Sequence, residues 1–465
     1  MKKFKIIITG LIIAFGVTTS CDESGLDKVN PNELSAATYF KTSAQLESAT
    51  TSCYAYLQGA GNYARYQFYI NDNISGENYA AGNLEADKQQ YINRDVDEAN
   101  GGSNQFWQQT YQGIGRCNFL IANEENFDAS IPSAEKAGRL GEAKFLRAFY
   151  YFNLVTHYGD IPLVLNLETK QGGEAKSSVA DVYTAIIADL TIAHSSLPAK
   201  GVQEQGRITA EAAWALLGKV YLQMGGKDAE AKAALANVTG YTLVDDYRDN
   251  FTVAGEHNDE SVFEVHYDES TGGGDSWSGN ARGNAETTFR AMEYSGCYNV
   301  KPTQALLDEY EAGDTRYAAN FYSIGDFYNN GTTEFVSGGI GPDDNPAWRK
   351  YQNLDNRASE TTDSGINARV IRYADVLLMQ AEAEIRSGGT DAAALGFLNQ
   401  VRARTSVNLP AISVTGEAAV LDAIKHERWV ELAGEQSRFY DLQRFDNDVY
   451  LMPIPNVELQ SNTNL

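Results

Sequence analysis

Aromatic residues set in polar, glycine-rich stretches are the feature of this chain best suited to chemistry. Tyr63, Tyr66, Phe68, Tyr69 and Tyr79 fall within residues 59–103, a region rich in Gly, Asn and Tyr. Trp277 stands between Gly274 and Gly279, Tyr294 and Tyr298 follow it, and Trp348 and Tyr351 come later. Burying such a ring stabilises a fold by up to about 3 kcal/mol. A ring in a stretch with little apolar company is therefore available to another flat surface, such as the C–H face of a sugar. Asn73, Asn78 and Arg282 lie in the same stretches and can donate hydrogen bonds to hydroxyls. The expected ligand site is the pair of loops around Asn73–Tyr79 and Trp277–Tyr294, with Trp277 as the stacking platform and Tyr79 and Tyr294 beside it. The competing role for each ring is to pin its loop to the scaffold.

Other chemistry finds little support. The five His residues are at positions 157, 194, 257, 266 and 426. His426-Glu427 opens like a zincin helix, but Val430 stands where the second His belongs. Gly274 to Gly279 resembles a nucleophile elbow, but Ser278 replaces its second Gly. Asp343-Asp344-Asn345 reads as a turn before it reads as a calcium ligand set. No catalytic residue, metal ligand or cofactor is expected. With 62 Asp and Glu residues, spacing alone neither finds nor excludes a glycosidase carboxylate pair. The formal charge of −25 repels phosphate backbones, so nucleic acid is not an expected partner.

The first twenty residues read as an address. Lys2, Lys3 and Lys5 precede the apolar run Ile6 to Val17, which is too short for a bilayer span of roughly 20 residues and fits a secretory h-region. Thr18-Thr19-Ser20-Cys21 is similar to a lipobox, with Thr18 where an aliphatic residue is usual. Cys21 is the expected acylated N-terminus, and Asp22-Glu23 after it is similar to a surface-export signal. An ordinary signal peptide with an unmodified Cys is the alternative. The other cysteines, Cys53, Cys117 and Cys297, are expected as buried thiols, with one bridge as the alternative.

The elements that must position the loops are helical. Helices are expected at Leu34–Leu57, Phe106–Ala122, Ser133–His157, 178–196, 209–224, 228–236, 302–312, 369–386, 391–404 and 416–434. Ser261–Tyr267 is the best strand candidate. Trp214-x-x-Leu217-Gly218-x-x-Tyr221 has the spacing of a tetratricopeptide first helix. The turn Gly225-Gly226-Lys227-Asp228-Ala229 recurs as Gly388-Gly389-Thr390-Asp391-Ala392. The expected fold is mostly α. It stacks tetratricopeptide-like helical hairpins into an α-α superhelix, with a loop-rich, irregular C-terminal part containing short strands. The helices at 106–157 and 178–224 are expected to serve the core or a partner, and not the ligand.

Several motifs carry a family resemblance. Arg372 to Ala383 reads RYADVLLMQAEA, Leu398 to Arg404 reads LNQVRAR, Glu427 to Phe445 reads ERWVELAGEQSRFYDLQRF, and Leu451 to Leu459 reads LMPIPNVEL. Upstream stand AKFLRAFYYF from Ala143 and YGDIPL from Tyr158. Together these resemble the SusD/RagB family from Cys21 to Leu465, with one departure at the end, where the family usually continues past Asn464-Leu465 into a QNPGY tail. Glu427, Arg428, Glu431, Glu435 and Arg438 lie three or four residues apart and read as a scaffold charge network.

The resemblance implies a signal peptide over 1–20, a SusD-like N-terminal region with helical repeats over 21–230, and a C-terminal region over 231–465 with long ligand-binding loops and a further repeat. It implies a non-enzymatic lipoprotein, anchored to the outer membrane and facing the cell exterior. That lipoprotein captures oligo- or polysaccharide and delivers it, as a lid, to a SusC-like TonB-dependent transporter. An oligopeptide-binding lid of a RagA-like transporter is the alternative, and a surface glycoside hydrolase a more distant one.

Overall fold

The computed structural model describes residues 39–81, 84–167, 172–269, 283–291, 297–336, 346–360 and 364–465. The first half is a run of helices. Helix α1 (Ser43–Tyr54) starts at Thr42, whose side chain accepts from the Gln45 N–H while the Gln45 side chain returns to the Thr42 backbone, a capping box. Helices α2 (Ala86–Asn93), α3 (Gly101–Ala122) and α4 (Ser133–Tyr158) follow, then α5 (Val179–Ser196), α6 (Ala210–Met224) and α7 (Asp228–Leu235). Asn100, Ser178 and Thr209 cap α3, α5 and α6 with side-chain oxygens. Successive members of the run from α3 to α7 pack on one another. Every residue of α4 from Phe145 to Tyr158 is buried, because α3, α5 and α1 all lie against it.

A second helical group is built on the C-terminal motifs. Helix α8 (Tyr373–Arg386) packs against α7 and α9 (Asp391–Arg402), α10 (Glu417–Glu431) packs on both α8 and α9, and α11 (Arg438–Phe445) returns to α6 and α10. Among the described residues the strands are short. Strand β1 (Asn78–Ala80) pairs antiparallel with β3 (Val300–Pro302), and β2 (Ser261–Val265) with β4 (Ala368–Arg372). One large core runs through α1 to α7, β2 and β4, and a smaller one lies between α8, α9 and α10.

Three expectations need correction. Residues 369–372 belong to strand β4 and not to the first turn of a helix, because Arg369, Ile371 and Arg372 pair with β2 and the helix starts at Tyr373. The helix expected over 302–312 is only Gln304–Asp308. The region 59–103, expected as loops with short strands, does hold the short strand β1, but it also holds a five-residue wide helical turn at Tyr69–Asn73 and the helix α2. The expected strand at 261–267 is β2, and the first described helix starts at Ser43.

Candidate ligand-binding face

Strand alternation decides which of the expected site residues face outward. Asn78 and Tyr79 are neighbours on β1, so their side chains leave opposite faces. Asn78 points inward: its Nδ2 donates to Asn73 Oδ1 at 3.0 Å, and its Oδ1 accepts from Trp348 Nε1 at 2.8 Å. Asn73, Asn78 and Trp348 are all buried. The two amides therefore hold a core Trp and do not meet solvent. The expectation that they donate directly to a ligand is not what the described conformation offers. Tyr79 is half-buried on the other face, with Lys301 Nζ 5.9 Å from its ring and 5.2 Å from that of Tyr298. Trp277, Arg282 and Tyr294 lie outside the described residues.

The segments flanking those three meet the Tyr79 ribbon. The Cys297 N–H donates to the Thr288 carbonyl at 2.8 Å, Asn299 N–H to Phe289 at 3.0 Å, and Ala81 N–H to Asn299 at 3.0 Å. Residues 283–291 and 297–302 thus run beside β1. The remaining loop aromatics took the pinning role: Tyr63, Tyr66, Phe68, Tyr69, Tyr298, Trp348 and Tyr351 are buried. Cys53 and Cys117 are buried free thiols, and Cys297 is half-buried and free.

Under this ribbon two carboxylates share one guanidinium, and a third, that of Glu77, feels its charge. Arg290 pairs with Asp72 and, at 2.6 Å, with Glu286, and it packs between Phe68 and Trp348. Glu77 accepts from the Gly434 N–H at 3.0 Å. Gly434 sits at φ +71, where a Cβ would lie 2.9 Å from the Trp348 ring, which is why this position of the motif must be Gly. Burial pushes the Glu286 carboxyl up to about 7, and it pushes Asp72 and Glu77 upward as well. Burial raises Glu256 and Glu360 to about 7 too.

A carboxyl raised in the folded state holds a proton that the unfolded chain has released, so stability falls as pH rises from about 4.5 to 7. Two histidines that burial holds near 4, His157 and His266, act in the opposite sense below their ordinary value of 6.5, but the raised carboxyls outnumber them. The melting temperature is therefore expected to be higher at pH 5 than at pH 7.5, and Glu286→Gln should flatten the slope. A midpoint that climbs between pH 5 and 7.5 in calorimetry would show that these acids are ionised in the fold.

The C-terminal motif residues form a larger buried network. Glu431 accepts from Arg316 Nη1 at 2.9 Å, Arg372 Nη1 at 3.0 Å and Arg404 Nη2 at 2.8 Å. Glu260, which precedes β2, takes Arg372 and Arg404 on its two oxygens. Glu427 pairs with Arg316 and Arg402, Glu435 with Arg372 and Lys350, and Arg428 with Asp375 and Asp441. The helical spacing of these residues suggested pairs along one helix, whereas the partners come from other elements. Arg438 stands apart, with its guanidinium 3.8 Å over the Trp429 ring.

Comparison with known proteins decides the family. A family model described as "SusD family" matches residues 259–449, and one described as "Starch-binding associating with outer membrane" matches residues 26–222. The chain belongs to the SusD-like family. This SusD-like chain is similar to a SusD-like protein of Bacteroides ovatus, with 26% identity over 95% of this chain and 82% of the relative. It is similar to a solved SusD superfamily structure from Bacteroides vulgatus, with 27% identity, a TM-score of 0.80, and coverage of 92% of this chain and 98% of that one. A solved "Laminarin binding SusD-like protein" is 28% identical with a TM-score of 0.76, covering 91% of this chain and 98% of that one. The SusD-like helical fold is thus shared with these solved structures.

Proposed function

We propose that this SusD-like chain is a cell-surface lipoprotein that captures an oligo- or polysaccharide without cleaving it and delivers it to a SusC-like TonB-dependent transporter as its lid. The observation that carries this reading is the likeness, over nearly the whole length of both chains, to a protein named as laminarin-binding. It is supported by the Tyr79 ribbon, which sets a ring beside the flanks of the two loops holding Trp277, Arg282 and Tyr294. In this reading Trp277 is the stacking platform. Arg282, Tyr79 and Tyr294 complete the site, and Asn73 and Asn78 support it from beneath through Trp348. The long helices α3 to α6 serve the core and the transporter and do not touch the ligand. The N-terminal region, 21–230, and the loop-bearing region, 231–465, divide the work accordingly, with Cys21 as the lipid anchor on the outer face of the outer membrane.

The test is binding of the purified protein to a polysaccharide panel that includes laminarin and starch, with hydrolysis products assayed in parallel. Binding of one glycan class with no products is the expected result. Stacking on one ring is worth about 1–3 kcal/mol by analogy with base stacking, so Trp277→Ala should weaken that binding roughly tenfold or more at an unchanged melting temperature. Wild-type affinity in the variant, or its unfolding, would make Trp277 a loop anchor. Peptide binding in place of glycan binding, or released sugars, would replace the proposal.

A further inference from the structure

Away from the Tyr79 ribbon, strand β2 and the turn before it bring together three side chains that the sequence separates. Glu264 and His266 are two residues apart in an extended stretch, so both leave the same face. His257 comes from the preceding turn, where its backbone adopts the left-handed conformation at φ +54 and its N–H donates to Glu264 Oε1 at 2.8 Å. His257 Nδ1 lies 2.5 Å from the same oxygen, and the two imidazole rings are 4.5 Å apart. One ligand atom from each of the three residues lies within 4.8 Å of the others.

Two independent observations mark the place as more than a hydrogen-bonded cluster. His266 Nε2 is buried and makes no hydrogen bond. A cavity of about 290 Å³ is lined by all three residues, with Glu204 and Arg207 at its edge, and a neighbouring cavity of similar size shares His266 and Glu204. Gly206 makes room for the ring: at φ +91 it has no side chain, and a Cβ there would lie 1.9 Å from His266 Cε1.

We propose that His257, Glu264 and His266 bind one divalent transition-metal cation of the Zn²⁺ class. Two imidazole nitrogens and one carboxylate oxygen suit Zn²⁺, Ni²⁺ or Cu²⁺, and not Ca²⁺ or Mg²⁺, which prefer oxygen alone. Tetrahedral ligands at zinc bond lengths sit about 3.3 Å apart. His257 Nδ1 and Glu264 Oε1 need to separate by less than about 1 Å, with the cation replacing the proton they share. Arg369, opposite Glu264 in the β2–β4 register, lies 2.7 Å from Oε2 and orients the carboxylate, as outer partners of metal ligands do. The other cations at the cavity have their own counter-charges: Arg207 pairs with Glu142 and Glu47, and Lys200 with Asp259. The ion would tie the turn at 254–258 to β2, and the cavity leaves its fourth position open to water or a carboxylate such as Glu204.

The test uses the full soluble chain, free of affinity tags and stripped with a chelator, titrated with Zn²⁺ in a calorimeter. One Zn²⁺ per chain is expected, with no heat from Ca²⁺ at the same concentration. His257→Ala and His266→Ala should each weaken Zn²⁺ binding roughly tenfold or more. His426→Ala should leave it unchanged, although His426 lies 2.7 Å from Glu309 and 3.7 Å from Glu311 at the surface. In the wild-type chain Co²⁺ should give the intense visible absorption of a four-coordinate site, a readout that needs no variant to fold. Wild-type affinity in both cavity variants, loss of binding in His426→Ala, or a weak six-coordinate Co²⁺ spectrum would each overturn the site.

Discussion

Glu431→Ala is expected to lower the stability of this protein by about 3–5 kcal/mol, the usual cost of removing one partner from a buried ion cluster. Glu431 is fully buried at the end of α10 and receives three guanidinium groups, those of Arg316, Arg372 and Arg404. These arginines come from three places in the chain: the short helix at Arg316–Asn320, the end of β4, and the segment after α9. Removing the carboxylate leaves like charges facing each other in a low-dielectric interior with only Glu260, Glu427, Glu435 and Asp314 to hold them. The pH dependence has a definite sign. Burial alone would raise the Glu431 carboxyl, but Arg404, Arg372 and Arg316 outweigh it and hold the group at about 2. A carboxyl depressed in this way stabilises fully above its ordinary value near 4.5, and that contribution is lost as pH falls toward 2. Denaturant titrations of wild type and variant should therefore differ most at neutral pH and converge in acid. A loss under about 1 kcal/mol at pH 7 would show that the cluster is not carrying the C-terminal motifs.

The second large effect concerns the membrane. With Cys21→Ala the protein should move from the membrane pellet to the soluble fraction. Acyl chains contribute about 0.8 kcal/mol per buried CH₂, so one chain anchors marginally and several anchor firmly. No helix among the described residues is long and apolar enough to cross a membrane, and the anchor proposed above is Cys21. Cells lacking the proposed transporter are the right background, because a protein docked on such a barrel would sediment with it. Should the variant still pellet with the outer membrane there, the anchor lies elsewhere.

The buried-acid pH slope and the Glu431 effect arise from opposite arrangements of the same chemistry. Around Arg290 three carboxylates face one guanidinium, and burial wins. Around Glu431 three guanidiniums face one carboxylate, and attraction wins. Neither ratio is visible along the chain, since Arg290 and Asp72 are 218 positions apart and Arg316 and Glu431 are 115 apart.

The sequence by itself determined the helical framework, because periodic apolar residues, capping side chains and glycine stops act within a few positions of one another. Helices α5, α6, α7, α9 and α10 lie within a few residues of where patterning puts them. It also determined the family, through motifs whose spacing survives in one chain. It misplaced 369–372, because the run Arg369-Val370-Ile371-Arg372 serves a strand as well as a helix, and only the neighbour β2 chose between them. Only the tertiary structure decided which polar residues look inward. Asn73 and Asn78 have the composition of a sugar site, yet the pairing of β1 with β3 turns Asn78 to Trp348 and leaves Tyr79 half-buried on the opposite face. The same holds for His257, Glu264 and His266: no metal motif spaces them, and a left-handed turn before an extended strand brings them to one cavity. Side-chain direction and long-range proximity depend on register and turn conformation, which contacts far along the chain select, so local patterning specifies the elements and packing specifies the sites.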